Sequence, residues 1–298
     1  MNMLRRTNGN ELVASLKNEV ETLLRRVADT AIMPHFRQLR DSEVSEKTPG
    51  EMVTIADHKA EAMLEENLSS ILPGSRVVGE EACAADLGIL DRLDEGLVWV
   101  VDPLDGTAHF AAGREPFGTM VALAADGVTI GSWIFNPVQN LMFTAAPGEG
   151  AFVTNGQGTR KELKTGDPSG TPIAGLATQF MTPELRQTTM ARGAEAFELV
   201  PIPRCAAEHY PRLCRSENHI ALFQRTLPWD HAAGALLLTE AGGYIARWDG
   251  TPYSFHDGGL GILAATSRKL WDEAAEVLFA GGALLAGGRE LLPPSGQA

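Results

Sequence analysis

The sequence predicts a layered protein of the α/β class, α+β in detail, with an antiparallel first half and a second half in which strands and helices alternate. Three observations carry this. Strand-type runs follow one another between residues 98 and 145 with short turn signals between them, the texture of an antiparallel meander. From residue 173 onward strand and helix patterns alternate, as in stacked α and β layers. Two helical segments precede both regions.

The first helix is expected over 11–33, where Leu12, Leu16, Val20, Leu23, Leu24 and Val27 recur at helical spacing and Pro34 marks the end. Residues 41–50 are polar and hold the turn signal Pro49-Gly50. A second helix is expected from Asp57 to Ile71, closed by Pro73-Gly74, and its Glu61, Glu65 and Glu66 read as a solvated face. Val98-Trp99-Val100-Val101 reads as a buried strand ending at Asp102-Pro103. Strands follow at 119–125, 128–135 and 141–145, separated by Asp126-Gly127 and Asn136-Pro137. The Gly-, Thr- and Pro-rich stretch 147–172 reads as turns and a crossing between halves. Strands are then expected near 173–178, 219–224, 243–247 and 260–265, and helices near 183–194, 206–215, 231–241 and 267–279. This divides the chain into an N-terminal half at 1–150, a C-terminal half at 151–280 and a loosely ordered tail at 281–298. Trp133 and Trp248 are assigned to the core.

Composition narrows the class. The chain has 298 residues, 44% of them hydrophobic and 21% charged, enough to build a real core and too apolar for disorder. No run approaches the roughly 18 uninterrupted apolar residues that a membrane span needs, and no apolar stretch follows Arg5 and Arg6 to make a secretory signal. The 38 acidic residues outnumber the 25 basic ones, a net charge of −13, which argues against a partner bound through nucleic-acid phosphates. Cys83, Cys205 and Cys214 form neither a CxxC pair nor a zinc pattern, so a reducing, cytoplasmic compartment is expected.

Four acidic sites stand at strand ends or helix starts. The densest is Asp102-Pro103-Leu104-Asp105-Gly106-Thr107, directly after a buried strand. Pro103 turns the chain sharply, so Asp102 and Asp105 can converge on one or two hard cations, with the Leu104 carbonyl filling a further position. Gly106 permits close approach to the backbone, and Thr107 adds a hydroxyl and an N–H. The others are Gly79-Glu80-Glu81, Thr54-Ile55-Ala56-Asp57 and Pro228-Trp229-Asp230-His231. Taken singly, each acid also reads as a turn or helix cap, or as a solvated acidic pair. His231 is read as structural, and His209 with Tyr210 as lining the far side of the pocket.

Together these residues resemble the inositol monophosphatase family, magnesium-dependent and lithium-sensitive phosphomonoesterases. The resemblance rests on Asp102–Thr107 as the D-P-x-D-G/S-T signature and on Trp229-Asp230, eleven residues, then Gly242-Gly243. Gly79-Glu80-Glu81 and Thr54–Asp57 fall in the family order, so the similarity runs from about residue 10 to 280. The resemblance implies alternating α-β-α-β-α layers, with an antiparallel N-terminal sheet and a smaller mixed C-terminal sheet. It implies two or three Mg²⁺ held by Glu80, Asp102, the Leu104 carbonyl, Asp105 and Asp230. It further implies that Glu80 and Thr107 orient an attacking water with Asp57 supporting Thr107, and that Asp105, Gly106, Thr107 and Ala206 face the substrate. The implied substrate is a small phosphorylated metabolite, the implied assembly a homodimer.

Three departures concern the alcohol half of that substrate. An acidic residue seven positions before the Trp-Asp aspartate is replaced by Phe223. A usual Gly-x-x-Asp reads Ser216-Glu217-Asn218-His219, and a usual Asn-Phe after the signature reads His109-Phe110. Inositol phosphate, histidinol phosphate, fructose bisphosphate and a 3′(2′),5′-bisphosphate nucleotide all remain open. The acidic chain, with no basic cluster around the motifs, counts against a doubly phosphorylated one. A regulatory member acting on a protein or RNA partner is the reading of another class, disfavoured by the intact set Glu80, Asp102, Asp105, Thr107 and Asp230.

Overall fold

The computed structural model describes residues 3–48, 50–259 and 261–279. The tail expected to be loosely ordered, 281–298, lies outside the described residues.

In chain order the elements are α1 (Met3–Val27), β1 (Val44–Thr48), β2 (Glu51–Thr54), α2 (Ile55–Ile71), β3 (Arg76–Gly79), α3 (Glu80–Ala85), β4 (Leu97–Asp105), α4 (Thr107–Ala111), β5 (Gly118–Ala125), β6 (Val128–Asn136), β7 (Leu141–Ala146), β8 (Gly150–Thr154) and β9 (Arg160–Leu163). Then follow β10 (Ile173–Ala177), α5 (Pro183–Ala196), β11 (Glu198–Leu199), α6 (Ala206–Cys214), β12 (Ile220–Phe223), α7 (Pro228–Glu240), β13 (Tyr244–Arg247), β14 (Ile262–Ala265) and α8 (Arg268–Phe279). No helix among the described residues is long and apolar enough to cross a membrane.

A seven-stranded sheet runs in the order β3-β4-β5-β6-β7-β8-β9, antiparallel except that β3 lies parallel to β4. A smaller five-stranded sheet, β11-β10-β12-β14-β13, is mixed. Alternation along β4 explains the layering, because successive side chains point to opposite faces. Trp99 and Val101 pack with Val20, Leu24, Ala60 and Leu64 of α1 and α2. Val98 and Val100 join the cluster of Tyr210, Leu213, Ala233 and Leu237 from α6 and α7. The opposite side of that helical layer meets Ala221, Phe223, Ile262 and Ala264 of the small sheet. The sheet's outer residues Ile220, Leu222, Leu263 and Ala265 pack on α8 through Leu270, Trp271 and Ala274. The result is five alternating layers, helix, sheet, helix, sheet, helix.

The structure departs from the sequence expectations in three places. Within 41–50, expected as a polar stretch with a turn at Pro49-Gly50, Val44–Thr48 forms β1, which pairs with β2 in a hairpin from Val44 to Thr54. The β1 residues are polar apart from Val44 and exposed or half-buried, so this strand carries little of the apolar alternation by which strands are read. Residues 147–172 hold β8 and β9, which add two strands at the polar edge of the large sheet. Glu61 belongs to no solvated face. It is buried, and its carboxylate accepts the Glu81 and Ala82 N–H groups at 2.8 and 2.7 Å, capping the first turn of α3. Glu65 and Glu66 are exposed. Trp133 and Trp248 are core residues, and the three cysteines are free and buried.

Candidate functional site

A cavity of about 620 Å³ opens between the two sheets, and its lining contains Glu80, Asp102, Asp105, Gly106, Thr107, Ala206 and Asp230. Each acid arrives at the end of a rigid element. Glu80 begins α3 directly after β3, Asp102 and Asp105 close β4, and Asp230 lies in the first turn of α7. Strand and helix ends aim side chains more firmly than loops do.

Local hydrogen bonds lock the β4 end. Asp102 Oδ1 accepts the Leu104 N–H at 3.0 Å, the turn geometry that Asp-Pro favours. Asp105 Oδ2 accepts the Ala207 N–H at 2.6 Å, tying the motif to α6 of the other half. Between them and α4 stands Gly106 at φ 86°, where a Cβ would lie 2.7 Å from the Pro116 carbonyl. Glycine is required there by both conformation and space.

Two sequence-predicted residues, Asp57 and Leu104, do not line the cavity but reach it through Thr107. Thr107 Oγ1 lies 3.0 Å from Asp57 Oδ1 and 2.9 Å from the Leu104 carbonyl. One hydroxyl proton serves one of these acceptors, so the lone pairs of Thr107 remain available to accept from a water. Asp57 is itself fixed by Thr54, whose N–H and hydroxyl donate to Oδ2 at 2.8 and 2.6 Å. Burial pushes Asp57 up to about 6.

Electrostatics set this cavity apart. Burial raises Asp102 well above the usual carboxylate range, and Glu80, Asp105, Asp230 and Asp57 each add repulsion. Burial also raises Asp230, with Asp105 adding to it, and Arg225 and Lys47 opposing. Glu80 is raised by burial too, then by Asp230 and Glu81, against the pull of Lys47. Asp105 is raised by burial and held down in part by the Ala207 N–H. Four acids gathered where water is scarce oppose one another's ionisation. Such a donor set of hard carboxylate oxygens fits divalent cations such as Mg²⁺. Among the described residues these acids are not drawn into a formed ligand group. The Lys47 ammonium of β1 lies 2.6 Å from Glu80 and 2.9 Å from Glu81.

Sequence reasoning missed several lining residues. Glu51 comes from the unexpected hairpin, which also carries Lys47, the partner of Glu80. Arg114, Arg204 and Arg225 come from three separate loops and line one cavity, so the basic cluster absent along the sequence exists in space. Arg225 is spoken for, being paired with Glu51 and lying over the Phe180 ring. His209 lines the cavity as expected, whereas Tyr210 sits behind it, fully buried. His231, read as structural, lines the cavity as well: it is buried, accepts from the Tyr210 hydroxyl at 2.8 Å through Nδ1 and donates to the Arg225 carbonyl at 3.2 Å through Nε2.

The fold is thus a layered α/β scaffold with a carboxylate-lined cavity where its elements meet. The chain belongs to the inositol monophosphatase family, whose model matches residues 15–279. It is 31% identical over 259 residues to the inositol-1-monophosphatase of Caulobacter vibrioides, covering 80% of this chain and 92% of that one. It is 29% identical over 230 residues to the Nus factor SuhB of Escherichia coli, covering 76% and 82%. Among solved structures, the fold is shared with an inositol monophosphatase-II of Staphylococcus aureus bound to inositol monophosphate, at a TM-score of 0.73 and 22% identity, over 92% of this chain and 97% of that one.

Proposed function

We propose that the protein hydrolyses a small phosphate monoester by direct attack of water, with Mg²⁺ as cofactor. The observation that carries this reading is the convergence of Glu80, Asp102, Asp105 and Asp230 on one cavity beside a Thr107 hydroxyl braced by Asp57. Glu80, Asp102, the Leu104 carbonyl, Asp105 and Asp230 would hold two or three cations. When bound, such cations neutralise phosphate charge, ease deprotonation of water and stabilise the leaving oxygen.

The chain's own groups do the positioning. Thr107, its proton committed to Asp57 or to the Leu104 carbonyl, accepts from the water and points one of its protons away from the phosphorus. Glu80 takes the water's proton once its carboxylate is free of Lys47. The Gly106 and Thr107 amides and the backbone at Ala206 border the phosphate. Cys205 lines the cavity, but burial and the neighbouring Asp105 hold its thiol well above the usual range, and no other cysteine and no serine lines the cavity among the described residues, which supports attack by water over a covalent intermediate. The family resemblance supports a homodimer, and three free buried cysteines support a cytoplasmic setting.

The relationship to a Nus factor supports a second reading, regulation through a protein or RNA partner. The retained acids favour hydrolysis, since partner binding requires no cluster of mutually repelling carboxylates. A phosphate-release screen with Mg²⁺ separates the two. Turnover of inositol 1-phosphate, histidinol phosphate, glycerol 2-phosphate or a bisphosphate that vanishes in Asp105→Asn supports the hydrolase. Silence on every substrate from a folded protein would overturn it.

A further inference from the structure

We infer that the alcohol half of the site selects a flat nitrogen heterocycle and a second anionic group rather than a polyol, with Phe223 and Gln224 reading the ring and Arg114 and Arg204 the second anion. The inference rests on the hydrolase reading above and concerns only what surrounds the ester.

Phe223, at the end of β12, lines the cavity. Tyr210 stacks behind it with centroids 5.7 Å apart and planes at 17°, while His209 and His231 meet it edge-on at 5.0 and 4.9 Å. The His209 imidazole is held neutral, pushed down to about 3 by burial. The wall therefore presents aromatic surface and no carboxylate. A ring of hydroxyls against it would lose water without gaining partners, which is costly. A planar π-system keeps its contacts there by stacking.

The next residue supplies an edge. Gln224 is 8% exposed and lines the same cavity, and its buried Oε1 has no hydrogen-bond partner among the described residues. A side-chain amide offers a donor and an acceptor side by side, matching the adjacent acceptor and donor of a heterocyclic base edge. An unpartnered buried amide oxygen beside an aromatic wall is a recognition element awaiting a donor.

The second anion has its own site on the rim. Arg114 and Arg204 are exposed on the cavity lining and make no ion pair among the described residues. One histidine brings them to the same place. The Arg114 N–H donates to the His109 carbonyl at 2.9 Å, and His109 Nε2 donates to the carbonyl of Pro203, next to Arg204, at 2.8 Å. Arg225 is neutralised by Glu51, so these two guanidinium groups carry the free positive charge at the mouth. Planar guanidinium forks suit phosphate or carboxylate. The cavity's 620 Å³ is ample for both features at once, within the roughly 300–1,000 Å³ of small-molecule sites.

The test crosses the two features. With Mg²⁺, kcat/KM is measured for inositol 1-phosphate, fructose 1,6-bisphosphate, 2′-AMP and adenosine 3′,5′-bisphosphate, with glycerol 2-phosphate as a featureless reference. The expected order puts adenosine 3′,5′-bisphosphate first, by about tenfold or more over inositol 1-phosphate. Arg204→Gln is expected to lower the ratio of adenosine 3′,5′-bisphosphate to 2′-AMP. Phe223→Leu, which keeps apolar volume and the fold, is expected to lower the ratio of 2′-AMP to inositol 1-phosphate by about fivefold or more, the weight of lost base stacking. A preference for inositol 1-phosphate, or variants that scale all four substrates equally, overturns the inference while the hydrolase reading stands. Absence of turnover on all five, in a folded protein, overturns both.

Discussion

Asp57 and Thr107, fifty residues apart, face each other at 3.0 Å, and each is held in place by its own neighbours. Thr54 donates twice to Asp57, and the Leu104 carbonyl lies 2.9 Å from Thr107 Oγ1. Asp57 thereby orients a hydroxyl without touching the cavity. Asp57→Asn preserves size and part of the helix cap, yet replaces an acceptor oxygen with an amide donor. We expect kcat to fall about 10–100-fold, the usual weight of a residue supporting a metal site, with only a small change in Tm. Phosphate release paired with thermal melts checks this. A large loss of Tm with kcat intact would make Asp57 a helix cap alone.

Asp230 separates function from stability. Its side chain makes no hydrogen bond among the described residues, and burial and Asp105 oppose its charge more than Arg225 and Lys47 favour it. Asp230→Asn is therefore expected to leave Tm in chelator unchanged or higher, because a repelling charge is gone. Activity should drop about a hundredfold or more, consistent with several kcal/mol of lost transition-state stabilisation. Mg²⁺ should raise the Tm of the unaltered protein, since a ligand that binds only the folded state stabilises it, and raise that of the variant less. Melts with and without Mg²⁺ read both effects, and a variant that melts lower in chelator would show Asp230 to be structural.

The site was legible in sequence to the extent that its parts sit at ends of strongly patterned elements. The apolar run Val98–Val101 announces β4, so Asp102 and Asp105 are placed by the strand that precedes them. Asp230 is placed likewise by α7. What stayed hidden depends on contacts between distant polar segments. The hairpin bearing Lys47 has little apolar pattern, and nothing local shows that Lys47 reaches Glu80 and Glu81. Glu61 resembles its exposed neighbours Glu65 and Glu66 until α3 is set against it. Arg114 and Arg204 are ninety residues apart along the chain, and nothing local shows that they line one cavity, linked through His109 to Pro203.

His209 makes a pH prediction with a definite sign. Burial lowers it from 6.5 to about 3, with Arg212 adding to the shift. The imidazole is therefore neutral in the folded protein, where the unfolded chain binds a proton below about 6.5. Its contribution to stability is complete above that pH and is lost progressively as pH falls toward 3. In His209→Gln this component disappears. The difference in urea midpoint between the two proteins should be largest near neutrality and shrink through the range from about 6.5 to 4. A difference that stays constant with pH would show that His209 titrates in the folded state as it does in the unfolded one.

Gly234 tests how closely the middle helical layer is packed. It lies in α7 against α6, and a Cβ built on it would fall 2.0 Å from Tyr210 Cδ2, with two further ring atoms within 2.4 Å. Tyr210 has no room to retreat, being fully buried, stacked on Phe223 and hydrogen-bonded to His231 Nδ1. Gly234→Ala would ordinarily favour a helix by about 1 kcal/mol. Here overpacking should dominate, at about 1–3 kcal/mol or more, giving a net loss of stability read as a lower urea midpoint at unchanged m-value. Because the displaced tyrosine backs Phe223, the same substitution should also shift relative kcat/KM among substrates, joining a packing defect in the helical layer to the cavity wall. An unchanged midpoint would mean that α6 and α7 lie farther apart than the ring contact requires.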